Sequence, residues 1–259
     1  MRITFFQIFA LSKITVKENL RNRAFFVLVF AGMLLYFFSA ILGMMAVGDT
    51  SRVILDGGFW ILGIFGLISS LFFGLNIIQA EVKRKIIYMM ISRPMSRTNY
   101  ILGKFFGIFI IMLLLYLVLS GIFILLLSLT HTPISGKFFI VLISIFLEWS
   151  VMAGFSLFFA VFTSPFLHGI FLTAIYFIGH WTKYLYAYAQ NTQELSLKYI
   201  LTGLYTLFPN LEALNYRTLV IYEQAVDSSL LVQSLLTGSG WIVAGIVGAV
   251  FIFNQKKLD

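Results

Sequence analysis

Long apolar runs dominate this chain. Stretches free of Asp, Glu, Lys and Arg cover 24–48, 57–80, 105–136, 149–182 and 228–255, and most exceed the roughly 18 residues that mark a membrane-spanning helix. Two regions subdivide. Thr130-His131-Thr132-Pro133-Ile134-Ser135-Gly136 ends one span with a Pro and a Gly that mark a short turn before re-entry near Lys137. The 138–182 region holds one charge, Glu148, and is too long for a single helix. It breaks at Thr163-Ser164-Pro165, where Ser164 can cap and Pro165 can take a first helical position. The pattern predicts six spans at about 24–47, 58–80, 104–130, 138–163, 166–188 and 231–253.

Three segments between or before these spans carry helical stripes. At 100° per residue Phe5, Phe9, Val16 and Leu20 share a face, with Gln7, Glu18 and Asn22 opposite and Lys13 interrupting. An amphipathic helix over about 2–22 lying along the membrane surface is expected from this. Val82, Ile86, Met89 and Met90 fall at i, i+4, i+7 and i+8, and Pro94 ends the pattern before Ser96 can cap the next helix. A short helix between the second and third spans follows. Leu197, Ile200, Leu201, Leu204 and Phe208 form a third stripe, Pro209-Asn210 breaks it, and Leu211, Leu214, Thr218, Ile221 and Ala225 form another. Two surface helices within about 195–226 are expected there.

Composition agrees with the pattern. The 259 residues are 60% hydrophobic and 11% charged, where soluble domains carry about a quarter charged residues. A chain this long has room for about six spans and no large soluble domain. The net charge of +8 is placed as topology requires. Thirteen of the eighteen Lys and Arg lie on the side of the termini and the 81–103 loop, and only Arg52, Lys137, Lys183, Lys198 and Arg217 lie on the other. Both termini and that loop are therefore expected in the cytoplasm. The basic excess thus reads as membrane orientation, with no nucleic-acid partner. Met1–Arg23 is polar well past a short signal n-region and is not expected to be cleaved.

Catalytic material is sparse. There is no cysteine, so thiol chemistry and thiolate metal sites are excluded. No Gly-rich stretch matches a phosphate-binding loop, and His131, His168 and His180 stand near span ends with no HExxH arrangement. They read as interfacial residues, and His180-Trp181-Thr182-Lys183 as an aromatic and basic anchor. Glu148 is the one acid near a span centre, where burial costs about 2.5–3.5 kcal/mol on insertion scales. It is a candidate intramembrane polar site. Equally open is a packing role, with the acid protonated or hydrogen-bonded at a helix contact beside Trp149. The glycines at 57, 58, 63 and 66, and at 238, 240, 245 and 248, read as close helix contacts.

The stretch 81–104 carries a resemblance. Its Glu81, Ser92-Arg93-Pro94, Ser96-Arg97 and Gly103-Lys104 resemble the first cytoplasmic loop of ATP-binding-cassette (ABC) transporter permeases of the type-2 exporter class. Lys85-Ile86 stands where that family has Gly-Thr, which affects the helix junction. A polar N-terminal elbow, Phe208-Pro209-Asn210-Leu211-Glu212 and the basic Lys256-Lys257 tail are similar to the family too.

The resemblance implies a single all-α polytopic permease domain over 1–259 with an elbow helix, six spans and a coupling helix at about 82–93. Glu81, Val82, Ile86, Met89, Met90, Arg93, Pro94, Ser96 and Arg97 would then serve ATPase coupling. Two permease chains would pair as a homodimer in a bacterial or archaeal cytoplasmic (inner) membrane above two cytosolic ATPase subunits. Those subunits would hold ATP and Mg, and this chain would be non-catalytic with no cofactor of its own. Arg93 and Arg97 would bond partner carboxylates, cap neighbouring carbonyls or anchor the cytoplasmic face. Two other readings stay open: a family member that carries nothing and drives an extracytoplasmic partner protein, and a secondary transporter or channel using Glu148.

Overall fold

Caps and breakers in the sequence set where each helix starts. The computed structural model describes residues 2–46, 48–83, 95–223, 225 and 227–256, with side chains of 2–4 and 76–83 left out. Helix α1 spans Arg2–Arg21 and α2 Arg23–Met45, joined at Asn22, whose side chain accepts from the Ala24 N–H. Helix α3 runs Thr50–Lys83. Ser96 opens α4, Arg97–Leu129, by accepting from the Asn99 N–H at 3.1 Å. After the Pro133 turn comes α5, Gly136–Phe162, and after Ser164-Pro165 comes α6, Pro165–Asn191. A cap segment follows: α7, Leu195–Leu207, a 3₁₀ turn at Glu212–Leu214 and the short α8, Arg217–Ile221. Asp227 accepts from the Ser229 N–H to start α9, Ser228–Gln255. No strand occurs among the described residues.

Among the described residues five helices are long and apolar enough to cross a membrane: α2, the 50–75 portion of α3, α4, α5 and α9. Helix α6 forms where a sixth span is expected but is not one of the five, because His168, His180, Thr182, Lys183 and several tyrosines dilute it. Of the two surface helices expected at 195–226, the first forms as α7. The second shrinks to a 3₁₀ turn and five helical residues, because its apolar side chains Leu211 and Leu214 are buried as anchors instead of forming a continuous stripe. The N-terminal helix also forms, over the expected residues. The face of α1 that packs on α4 is Leu11, Ser12, Thr15 and Asn19, while Phe5 and Phe9 point outward.

Helix α5 is central, with α3, α4, α6 and α9 around it, and α2 lies outside α3 and α4. Inside the bundle, Phe123 stacks on Tyr36 with ring centroids 5.3 Å apart and meets Phe59 and Phe138. Without a water-driven hydrophobic effect between lipid-facing helices, close approach of small residues must supply the packing. Gly245 of α9 does so: a Cβ there would press on the backbone of Gly154 in α5. Large side chains on α2 and α9, including Phe30, Phe37, Val243 and Phe251, face outward.

Candidate functional site

Glu148 lies on the inner face of α5 and is 2% exposed. A carboxylate so placed needs a partner, and α6 supplies it. The His180 Nε2 lies 3.1 Å from Glu148 Oε1, and the Nδ1 of the same ring lies 3.4 Å from Glu212 Oε2 on the 3₁₀ turn. Tyr176, one turn earlier on α6, sets its ring edge-on to the imidazole, 4.6 Å between centroids.

Local bonds bring Glu212 to this position. Pro209 stops α7, and the Leu211 N–H then donates to the Gly179 carbonyl of α6 at 3.0 Å. The Asn210 Oδ1 accepts from the Thr182 hydroxyl and the Ala213 N–H, both at 3.0 Å. Thus tied to α6 at Asn210 and Leu211, the chain turns Glu212 toward His180. Asn215 donates to both Glu212 oxygens at 3.2 Å. Arg217 reaches inward to α3, where its guanidinium occupies the space that a side chain at Gly63 would fill.

The electrostatics follow. A protonated imidazole donates from both nitrogens, and such a ring meets an acceptor oxygen at each end of the bridge. Arg217 and Lys183 add positive charge beside it. Burial raises the Glu212 carboxyl, but hydrogen bonds from His180 and Asn215 and the charges of His180 and Lys183 outweigh it and hold the group below the ordinary carboxylate range. Glu148 and Glu212 occupy opposite nitrogens of one ring and do not converge on a common point. Among the described residues no three His, Asp or Glu are grouped to hold a metal ion.

Two cavities flank the cap. One of about 750 Å³ lies between it and α9, with Lys183, Glu212, Asp227, Gln233 and Trp241 among its walls. Another of about 480 Å³ lies on the α3 side and is lined by Asp49, Arg52, Asp56 and Arg217. Deeper in the bundle, Leu67, Met152, Leu172 and Ile175 are buried together. They separate the bridge from a second polar layer in which Ser156 donates to the Ser70 carbonyl at 2.7 Å and meets His168 Nε2 at 3.3 Å.

The residues from the 81–104 stretch lie elsewhere. Glu81 and Val82 are in the last turns of α3, while Ile86, Met89, Met90, Arg93 and Pro94 fall outside the described residues. Arg97 donates from Nη1 to the carbonyls of Phe253, Asn254 and Lys256, at 3.3, 3.0 and 3.0 Å. The Lys256 ammonium in turn donates to the Val161 carbonyl at 3.0 Å. This end of the bundle therefore ties α4, α9 and α5 together through basic side chains on helix C-terminal carbonyls, where the helix dipole favours a cation. Lys104 is buried there with its ammonium 5.7 Å from the Tyr100 ring centre.

The sequence singles out Glu148 but misses its partners. His180 and Thr182 turn inward while Trp181 and Lys183 are exposed, so the cluster is not simply an interface anchor. The missing signal is stoichiometric: a lone acid in an apolar span requires a donor, and His180 lies one helix away. Compared with protein-family models and with the curated proteins, the chain matches none.

Proposed function

We propose that this chain is the permease subunit of an ABC exporter of the type-2 class, with six spans, an N-terminal elbow helix and a cytoplasmic coupling segment at about 82–93. The resemblance of Glu81–Lys104 to that family motivates the reading. The observation that supports it most is where the motif is rooted. Helix α3 has 34 residues and α4 has 33, each about 50 Å long against a hydrocarbon core of about 30 Å. Both helices can therefore carry the motif beyond the bilayer to a soluble motor. Ser96 and Arg97 fix the start of α4, and Arg97 bonds the end of α9, so a push on the segment would reach three helices together.

In this reading ATP and Mg reside in a separate cytosolic subunit, which supplies the hydrolysis. The present chain contributes a lever, a membrane path and, with a second copy, the dimer. The outward Phe5 and Phe9 of α1 suit a helix lying in the membrane surface. Both termini are assigned to the cytoplasm by the Lys and Arg bias.

Co-purification tests the proposal. An ATP-hydrolysing subunit should accompany the chain from detergent-solubilised membranes and be lost when residues 82–93 are altered. Full transport by the chain with no such subunit present would exclude it. The Glu148–His180–Glu212 bridge favours a second reading, a proton or cation transporter, and the apolar layer of Leu67, Met152, Leu172 and Ile175 weighs against it. A proton route needs polar or wet continuity, and that layer interrupts it between the bridge and Ser156.

A further inference from the structure

We propose that Glu148, His180 and Glu212 form a charge latch that holds residues 208–221 down on the helix bundle and lets them lift when the bridge loses its charge balance. The proposal stands whatever motor or cargo the chain serves. The held segment has little stability of its own: a three-residue 3₁₀ turn and a five-residue helix, both far shorter than the roughly 12 residues an isolated helix needs. Its position depends on attachments. Leu211 and Leu214 are buried, the Tyr216 hydroxyl meets Ser234 at 2.6 Å, and the charged link runs through His180 to Glu148.

Cavities of about 750 and 480 Å³ lie on either side of the segment, so lifting it needs no repacking of the long helices. The latched state pairs the ring with a carboxyl group at each nitrogen, one on the bundle and one on the cap. Add a proton to Glu212, or remove the imidazole, and the charge pairing between bundle and cap is lost. What then holds the segment is its short apolar and hydroxyl attachments, and the cap is the side able to move. The groups facing the bridge are Tyr116 from α4, Tyr176 and Lys183 from α6 and Arg217 from α8, with Asp49, Arg52 and Asp56 across the smaller cavity. From α3 the neighbour is Gly63.

The absence of native cysteine makes a single introduced thiol an unambiguous reporter. Ser234→Cys places it beneath the cap, altering the Tyr216 hydroxyl contact equally in every background compared, and Ser120→Cys places a control in the core of α4. In open membrane fragments holding the full chain, modification of each thiol by a membrane-impermeant maleimide is followed with pH in the otherwise unchanged protein, Glu212→Gln and His180→Gln. The latch predicts about tenfold faster modification at 234 in either variant, with 120 unchanged. It also predicts that the rate at 234, divided by the rate of a free thiol at the same pH to remove the falling thiolate fraction, rises on acidification in the otherwise unchanged protein and stays flat in the variants. Equal rates at 234 in all backgrounds would overturn it, as would matching acceleration at 120, which would make the bridge only a fold element. Glu212→Gln preserves side-chain shape and decides the matter if His180→Gln does not accumulate.

Discussion

Trp149 of α5 lays its indole where a side chain at Gly66 of α3 would have to stand, and donates its ring N–H to the Leu62 carbonyl at 2.9 Å. The contact brings the two most enclosed spans together at the level of Glu148. A small residue on one helix and the largest side chain on the other form one interlocking pair.

Gly66→Ala should therefore destabilise the bundle by about 1–3 kcal/mol, because Trp149 is held by its own hydrogen bond and cannot swing away without strain. The melting temperature in detergent reads the loss. Combining it with Trp149→Phe should give less than the sum of the two single losses, since the smaller ring relieves the clash. Strict additivity would show that the two side chains do not press on each other.

Glu148→Leu should cost more than Glu148→Gln. Leucine leaves the His180 imidazolium with one carboxylate, and breaking a buried pair by removing one partner costs about 3–5 kcal/mol. Glutamine still offers an oxygen to Nε2. Both variants should reach the membrane at normal levels, and thermal unfolding should rank them. Adding His180→Leu to Glu148→Leu should recover part of the loss, because the stranded charge is then gone.

Most of the helical pattern was legible because apolar runs and caps are local signals. Ser96, Ser164-Pro165 and the Pro133 turn sit where helices begin or end for reasons visible within four residues. The buried acid was legible too. Its surroundings were not: His180 and Glu212 each stand 32 residues from the group they meet, and spacing along one helix says nothing about registry between helices. The protein-facing side of α1 was not legible for the same reason: hydrophobicity marks Phe5 and Phe9, which point away from the bundle, while Ser12 and Thr15, small enough to meet Gly103 and Gly107, face protein. That α6 is not among the span-like helices reflects polar side chains that serve the bridge and the cap.

Arg97→Ala should loosen the end of α9 without unfolding it. Three carbonyls lose a shared cationic donor, so hydrogen exchange over 252–256 should quicken while the core of α4 keeps its protection. Arg97 is occupied within its own chain, so Arg97→Glu would disturb the tail as well as any docking. Arg93→Glu is then the cleaner test of motor association. Under the proposed function it should reduce recovery of the ATPase subunit with membrane levels unchanged.

Glu212 should make stability depend on pH in a stated direction. Its folded carboxyl lies below the ordinary range, since bonds from His180 and Asn215 and the nearby positive charges outweigh burial. A carboxylate depressed by folding contributes stability that is fully present above its unfolded pKa and is lost as pH falls through the folded value. Melting temperature should hold from neutral into weakly acid solution and drop below the usual carboxylate range. Glu212→Gln should start lower and lack that part of the drop. Asp227 has the same sign, lowered by its side-chain and backbone bonds from Ser229. It caps α9 at the exposed surface, where water screens the charge, so Asp227→Asn should change the acid slope less than Glu212→Gln. Parallel slopes for Glu212→Gln and the unchanged protein would mean that the imidazole bridge does not carry the charge assigned to it.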